Sequence, residues 1–212
     1  MIAPYEGFGL TMMMTSVVTA QDASASAVAR KAMIDSQLRP SGVNDPRILA
    51  IMAQVPREDF VPEAARAAAY IDRAVPLGEG RWLAAPLVHG LMLGEAQPTK
   101  RDTVLLVGDG KGYLAALLAP LAGSVDAVTP AEVAEKAGAY SLILIDGAVE
   151  EPPAALVSLL ADDGRIVTGL VTRGVTRLAV GRKAAGEIAL LPLAEIGIPV
   201  LPEFAAPKRW SF

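Results

Sequence analysis

The 212-residue chain has no cysteine and one histidine, His89. Without cysteine it can form no disulfide framework, no thiolate metal site and no cysteine nucleophile. A lone histidine excludes a multi-histidine metal site, and a Ser-His-Asp triad would have to be built around His89 itself. Basic charge is also in deficit. With 19 Lys and Arg against 23 Asp and Glu, the net charge is -4 and the isoelectric point is near 5.1, which argues against a non-specific nucleic-acid binder. Long apolar runs are missing as well. The charge-free apolar candidate between Lys111 and Asp126 is too short for a membrane span and contains Pro120 and two glycines. Glu6 is the only charge ahead of the apolar patch Leu10–Val18, where a secretory signal would carry Lys or Arg. These absences point to a cytoplasmic protein with no membrane and no nucleic acid as partner.

What the chain has is apolar bulk. Hydrophobic residues make up 52% and mean hydropathy is +0.40, enough for a full core and for a subunit interface, so a homodimer is expected. Ala, Leu and Val supply most of it, which suits helices packed on a parallel sheet. The centre of the sequence is Thr103–Ala119. Val104–Val107 reads as a strand buried on both faces; Gly108, Gly110 and Gly112 follow at alternate positions, and a helical run continues through Ala119. This is the opening unit of a nucleotide-binding α/β domain. Its G-x-G-x-G spacing leans towards S-adenosylmethionine over NAD, although a glycine-rich turn can also be only a way of reversing the chain.

Around this unit the pattern predicts a helix over Ser24–Leu38 with Ser24 as N-cap, and a second from Asn44-Asp-Pro46 through Ala53. A proline-bounded connector Val55–Pro62, a short helix Glu63–Tyr70, a turn at Pro76–Gly80 and a helix Pro86–Leu93 come next. Beyond the centre, strands are expected at Ser124–Val128, Ser141–Ile145 and Arg165–Leu170, and helices at Pro130–Gly138 and Pro152–Leu160. Asp162-Asp-Gly164 reads as a turn, and Val175–Val180 with Glu187–Leu191 as a closing antiparallel pair. Residues 1–21 are expected to be a disordered N-terminus with a candidate start at Met12–Met14. Residues 22–100 form a helical extension and 101–212 the nucleotide-binding domain.

Several blocks in order resemble the protein-L-isoaspartate O-methyltransferase family: Met33-Ile34, Gln37-Leu38-Arg39, Asp45-Pro-Arg-Ile-Leu49, Val55-Pro-Arg-Glu58, Phe60-Val-Pro62, Ala69-Tyr70, Asp72, Pro76-Leu-Gly78, Gly80 and Ala85-Pro86, then the glycine turn. The ending Pro199–Phe204 is similar to a branch found in some bacteria. The resemblance implies a Rossmann-like class I S-adenosylmethionine methyltransferase fold, with a mostly parallel sheet and an antiparallel C-terminal pair. It implies methyl transfer to the carboxylate of an isoaspartyl residue, with a protein or peptide as partner. A carboxylate is already nucleophilic, so positioning and exclusion of water carry the catalysis. It further implies S-adenosylmethionine as cofactor, bound through Gly108, Asp109, Gly110, Gly112, Tyr113, Thr129 and Asp146, and a substrate cleft at Arg81, Trp82 and Leu83.

The chain departs from the family in four places. The acidic residue two positions before the first glycine is Leu106. The carboxylate at the end of the second strand, which accepts from the cofactor ribose, is replaced by Thr129. The hydroxyl presented to the substrate carboxylate is lost at Ala84, and the family's frequent histidine falls at Leu87. Only about eleven residues, Pro130–Tyr140, stand where the family fits a helix, a strand and a further helix, so a shortened sheet is expected.

Other residues carry two readings each. Asp109 faces a ligand or satisfies its own turn. Asp146 ends a strand at the ligand-facing edge or merely opens a loop. Lys111 is read as solvated, His89 as a packed or surface helix residue, and Arg81 with Trp82 as a plug in a vacated cleft. Two functions remain: an S-adenosylmethionine-dependent carboxyl methyltransferase, or a degenerate methyltransferase-like scaffold that binds another protein. The four departures favour the scaffold.

Overall fold

The computed structural model describes residues 24–206. The expectations for residues 1–21 and for Met12–Met14 therefore lie outside the described residues, as does the chain preceding Ser24. Residues 24–33 are helical (α1), and the helix loosens into a π turn over Ile34–Leu38. Ser24 already lies within the helix. α2 (Pro46–Gln54) begins as anticipated: Asp45 accepts from the Arg47 N–H and a proline occupies the first turn, where its missing donor costs nothing. Tight 3-10 turns follow at Arg57–Phe60 and Glu63–Ala68.

The expected turn at Pro76–Gly80 is the tip of a hairpin. β1 (Val75–Gly78) pairs antiparallel with β2 (Arg81–Leu83), and Gly78, Glu79 and Gly80 all adopt positive φ. Strands of four and three residues are too short for an alternating pattern to show in the sequence. α3 (Pro86–Ala96) then leads to the main sheet.

That sheet has six strands: β3 (Thr103–Val107), β4 (Ser124–Val128), β5 (Tyr140–Val149), β6 (Leu160–Thr172), β7 (Val175–Ala184) and β8 (Glu187–Glu195), in the order β4-β3-β5-β6-β7-β8. The first four are parallel and the last two antiparallel. The shortened sheet is thus present, and β4 is its edge. Instead of a helix, Pro130–Glu135 forms a 3-10 turn. The predicted turn at Asp162-Asp-Gly164 lies inside β6, where pairing with β5 slips and Asp163 takes φ of 62°. α4 (Tyr113–Leu118) and α5 (Ala155–Leu159) complete the layers.

Both faces of the sheet are buried at its central strands β3 and β5, which accounts for their continuous apolar runs. Val104 and Leu106 of β3 and Leu142 and Leu144 of β5 point into one core with Met52, Met92, Leu93, Leu114 and Leu117. Leu105, Val107, Ile143 and Ile145 point into the other with Val133, Leu156, Leu159 and Phe204. The first core also holds Met33, Leu38 and Ile48, so the N-terminal helices and the sheet share one apolar interior. Past Ile198 the chain returns beside β5, with Val200 bridged in parallel to Ala148. None of the helices among the described residues is long and apolar enough to cross a membrane.

Candidate functional site

In an open parallel sheet, ligands meet the carboxyl ends of the strands. At that end Gly108 follows β3, Thr129 follows β4, and Asp146 lies near the end of β5. The Gly108 N–H donates to Val128 O at 2.8 Å, which ties the turn to the end of β4. Gly110 permits close packing: a Cβ built there would stand 2.8 Å from the Ala127 Cβ. Asp109 is exposed, and its Oδ1 accepts the Lys111 N–H at 2.9 Å while its carbonyl accepts from Gly112. Its side chain therefore serves its own turn, and Lys111 is exposed as read.

Behind the turn lies a chain of polar groups that joins three elements. Asp146 Oδ1 is 3.0 Å from His89 Nε2, and His89 Nδ1 is 3.3 Å from Arg57 Nη1. Arginine can only donate. His89 Nδ1 must then accept, the ring proton sits on Nε2, and that N–H donates to the Asp146 carboxylate. Arg57, wholly buried, also donates from Nε to Ala69 O at 2.6 Å and from Nη2 to Ala84 O. Its guanidinium lies 4.9 Å from the centre of the Tyr113 ring. Burial pulls the guanidinium down to about 10, opposed by Tyr113 and Asp146, so it remains charged at neutral pH. The Tyr113 hydroxyl is buried without a hydrogen-bond partner, and burial pushes the phenol up.

Reading the sequence did not find Arg57 or the pairing of His89 with Asp146. His89 is packed, but it is a polar link rather than a surface residue. The contacts span 32 and 57 positions along the chain, and no local pattern signals them. Glu132 was missed too. The Thr129 N–H and hydroxyl both donate to Glu132 Oε2, at 2.9 and 2.8 Å, so a carboxylate stands at the end of β4 three residues after Thr129. These two hydrogen bonds hold the Glu132 carboxyl below its ordinary range. The Thr-x-x-Glu spacing of a capping box was the available signal.

The hairpin and the returning C-terminal segment flank an open cavity of about 600 Å3, lined by Arg73, Trp82, Leu87, Ile198, Val200 and their neighbours. Trp82 is 52% exposed and forms part of its wall, so the expectation of a plug is corrected: the side chain stays half open to solvent and lines the cavity. Arg81 points to solvent beside Glu79, 3.7 Å away, while Leu83 is buried in the core. Ala84 is buried, and its carbonyl serves Arg57. Leu106 lies wholly inside the core beneath the turn. The site residues Gly108, Thr129 and Asp146 thus gather at the strand ends.

The sequence profile described as Protein-L-isoaspartate(D-aspartate) O-methyltransferase matches residues 28–137. A protein-L-isoaspartate O-methyltransferase of Methanoculleus marisnigri is 30% identical over 203 residues, spanning 82% of this chain and 92% of that protein. The chain belongs to the protein-L-isoaspartate O-methyltransferase family. A Koribacter versatilis member is 34% identical over 194 residues, covering 79% of this chain and 87% of its own length. Among solved structures, a Plasmodium falciparum beta-aspartate methyltransferase in complex with S-adenosyl-L-homocysteine shares the fold. Its TM-score is 0.65 at 18% identity, over 84% of this chain and 98% of that one. A second family structure superposes with a TM-score of 0.68 at 17% identity, over 83% of this chain and 67% of that one.

Proposed function

We propose that the protein is an S-adenosylmethionine-dependent carboxyl O-methyltransferase acting on isoaspartyl residues of proteins or peptides. The observation that carries this reading is that polar groups suited to the cofactor and an acceptor cavity flank the same strand ends. The turn fits an adenosylated amino acid in shape and charge. Its glycines let the turn pack closely on β4, where a Cβ at Gly110 would meet Ala127, Asp146 offers a carboxylate oxygen, and Glu132 offers another carboxylate at the end of β4. The sequence had placed that second carboxylate at Thr129 and counted it lost.

When bound, the cofactor supplies an electrophilic methyl group to the acceptor carboxylate. The chain's task is then placement. Glu132 accepts from ribose hydroxyls, the turn holds the amino-acid end, and Arg57 through His89 fixes the Asp146 carboxylate. Arg73 lines the acceptor cavity as a cation, and Trp82 and Val200 give it apolar walls. No general base is required, because the acceptor carboxylate is already nucleophilic.

A scaffold that binds another protein without transferring methyl groups is the second reading. Ala84 and the six-stranded sheet favour it, since the family's hydroxyl and a strand-helix segment are both missing. Incubation with labelled S-adenosylmethionine and an isoaspartyl peptide decides between them. The expected result is label in base-labile methyl ester, lost in Gly110→Val. Absence of transfer, together with no binding of S-adenosylhomocysteine at millimolar concentration, establishes the scaffold instead.

A further inference from the structure

Five large apolar side chains are exposed among the described residues: Val28, Trp82, Leu191, Leu193 and Val200. Two of them, Trp82 at 52% and Val200 at 43%, line the same open cavity of about 600 Å3; the other three do not. They reach it from different elements. Trp82 lies on β2, whereas Val200 belongs to the returning C-terminal segment. That segment is fastened to β5: the Ala148 N–H donates to Pro199 O at 2.7 Å, and the Leu201 N–H donates to Ala148 O at 2.9 Å. Ala148 is two residues past Asp146, so this wall adjoins the strand end described above. Leu87 and Ile198 continue the apolar lining, and Asp72 and Arg73 are its charged members. Arg73 is exposed and makes no ion pair among the described residues, which leaves its guanidinium open to an anion.

A cavity of this size falls within the roughly 300–1,000 Å3 that holds drug-sized ligands, and it exceeds one aspartyl side chain. An acceptor carboxylate drawn to Arg73 therefore fills only part of it. The apolar wall is left to the residues on either side of the acceptor. An indole with half its surface in water is covered most favourably by another apolar side chain, because the gain follows the apolar area removed from water. A charged or polar flanking residue would give up its own hydration against a wall that returns few hydrogen bonds.

We propose that Trp82 and Val200 form a subsite for a bulky apolar residue next to the isoaspartate, so that the protein selects acceptors with an apolar flank. This rests on the methyltransferase reading above and adds to it the acceptor sequence that the cavity favours.

The test uses three short peptides, identical except that leucine, glycine or lysine flanks the isoaspartate on both sides. Each is titrated calorimetrically into the full chain and separately assayed for methyl transfer. The wild type is expected to bind the leucine peptide about ten-fold more tightly than the glycine peptide, with a matching rise in kcat/KM. Lysine should do no better than glycine. Trp82→Ala is expected to abolish the difference between leucine and glycine, Trp82→Phe to keep most of it, and Val200→Ser on the other wall to reduce it. Equal binding of the three peptides by the wild type overturns the subsite, as does a preference for lysine. A leucine preference that persists undiminished in both Trp82→Ala and Val200→Ser overturns it too. Equal binding accompanied by methyl transfer leaves the methyltransferase reading intact. A leucine preference that depends on Trp82, with transfer to none of the peptides, supports the subsite and overturns that reading instead.

Discussion

Arg57 is the residue on which the polar chain depends. Its donors meet Ala69 O, Ala84 O and His89 Nδ1, and its plane rests near the Tyr113 ring. Removing it leaves these acceptors unpaired in a dry interior and leaves Asp146 without a cation behind it. Breaking a buried polar network in this way costs more than the net worth of its bonds. Arg57→Met is expected to lower stability by on the order of 3 kcal/mol in urea unfolding. Arg57→Lys should recover only part, because an ammonium cannot reach carbonyls on two elements and the imidazole together. Full stability in Arg57→Met would mean that the three acceptors find other partners. The sequence displayed this arginine within Val55-Pro-Arg-Glu58, where it served only as a mark of resemblance. A charged side chain is almost never buried unless paired. Its partners lie 12, 27 and 32 positions away, so its inward turn is set by topology and leaves no local trace. The strand ends, by contrast, were legible from glycine spacing and apolar runs alone, and Asp146 was placed by them.

At the scale of elements, the informative piece is the short connection from β4 to β5. The residue count alone told that a strand and a helix could not fit there, and the six-stranded sheet agrees. What the count could not tell is how so short a segment ends β4. Thr129 and Glu132 cap the 3-10 turn, Val133 enters the core, and Tyr140 and Lys136 both donate to Asp126 Oδ2, at 2.7 and 3.0 Å. The segment thus folds back over its own strand. The carboxylate expected at Thr129 is supplied from one turn later, so judging the position residue by residue undercounted it. Glu132→Ala removes both the cap and the acceptor. The cap is worth about 1 kcal/mol, measurable as a small loss in thermal stability. S-adenosylhomocysteine affinity is expected to fall by roughly ten-fold, the worth of a charged hydrogen bond. A stability loss with unchanged affinity would confine Glu132 to capping and remove it from the cofactor's contacts. The β1–β2 hairpin and the irregular start of β6 escaped the sequence for a related reason. Short strands and a strand interrupted by Asp163 and Gly164 carry turn chemistry inside paired backbone.

Across the whole molecule, the site at the carboxyl ends of the strands is matched by a polar lock at the opposite ends. Asp102, just before β3, accepts from Arg165 of β6 through both oxygens, at 2.8 and 2.9 Å. It also accepts from Ser141 of β5 at 2.8 Å and from the Thr99 N–H and hydroxyl at 2.8 and 2.9 Å. Arg165 further donates to Ala96 O at the end of α3. One carboxylate thus joins three strands to the helix that carries His89. Arg165 first, then Ser141 and Thr99, hold the Asp102 carboxyl far below the usual carboxylate range, against the opposing effect of burial. A carboxyl depressed in the folded state contributes its full stabilisation above its unfolded value of about 3.9 and loses it as the pH falls towards the folded value. Asp102→Asn is therefore expected to destabilise the protein by about 3 kcal/mol at pH 7, because Arg165 is left facing a neutral amide. The gap between wild type and variant should narrow as the pH drops below about 4, where the wild-type carboxyl begins to lose its own advantage. Urea unfolding of both proteins at pH 7 and pH 3 measures this directly. A gap of the same size at both values would show that shape and hydrogen bonding, and not the charge on Asp102, hold the lower ends of the strands together.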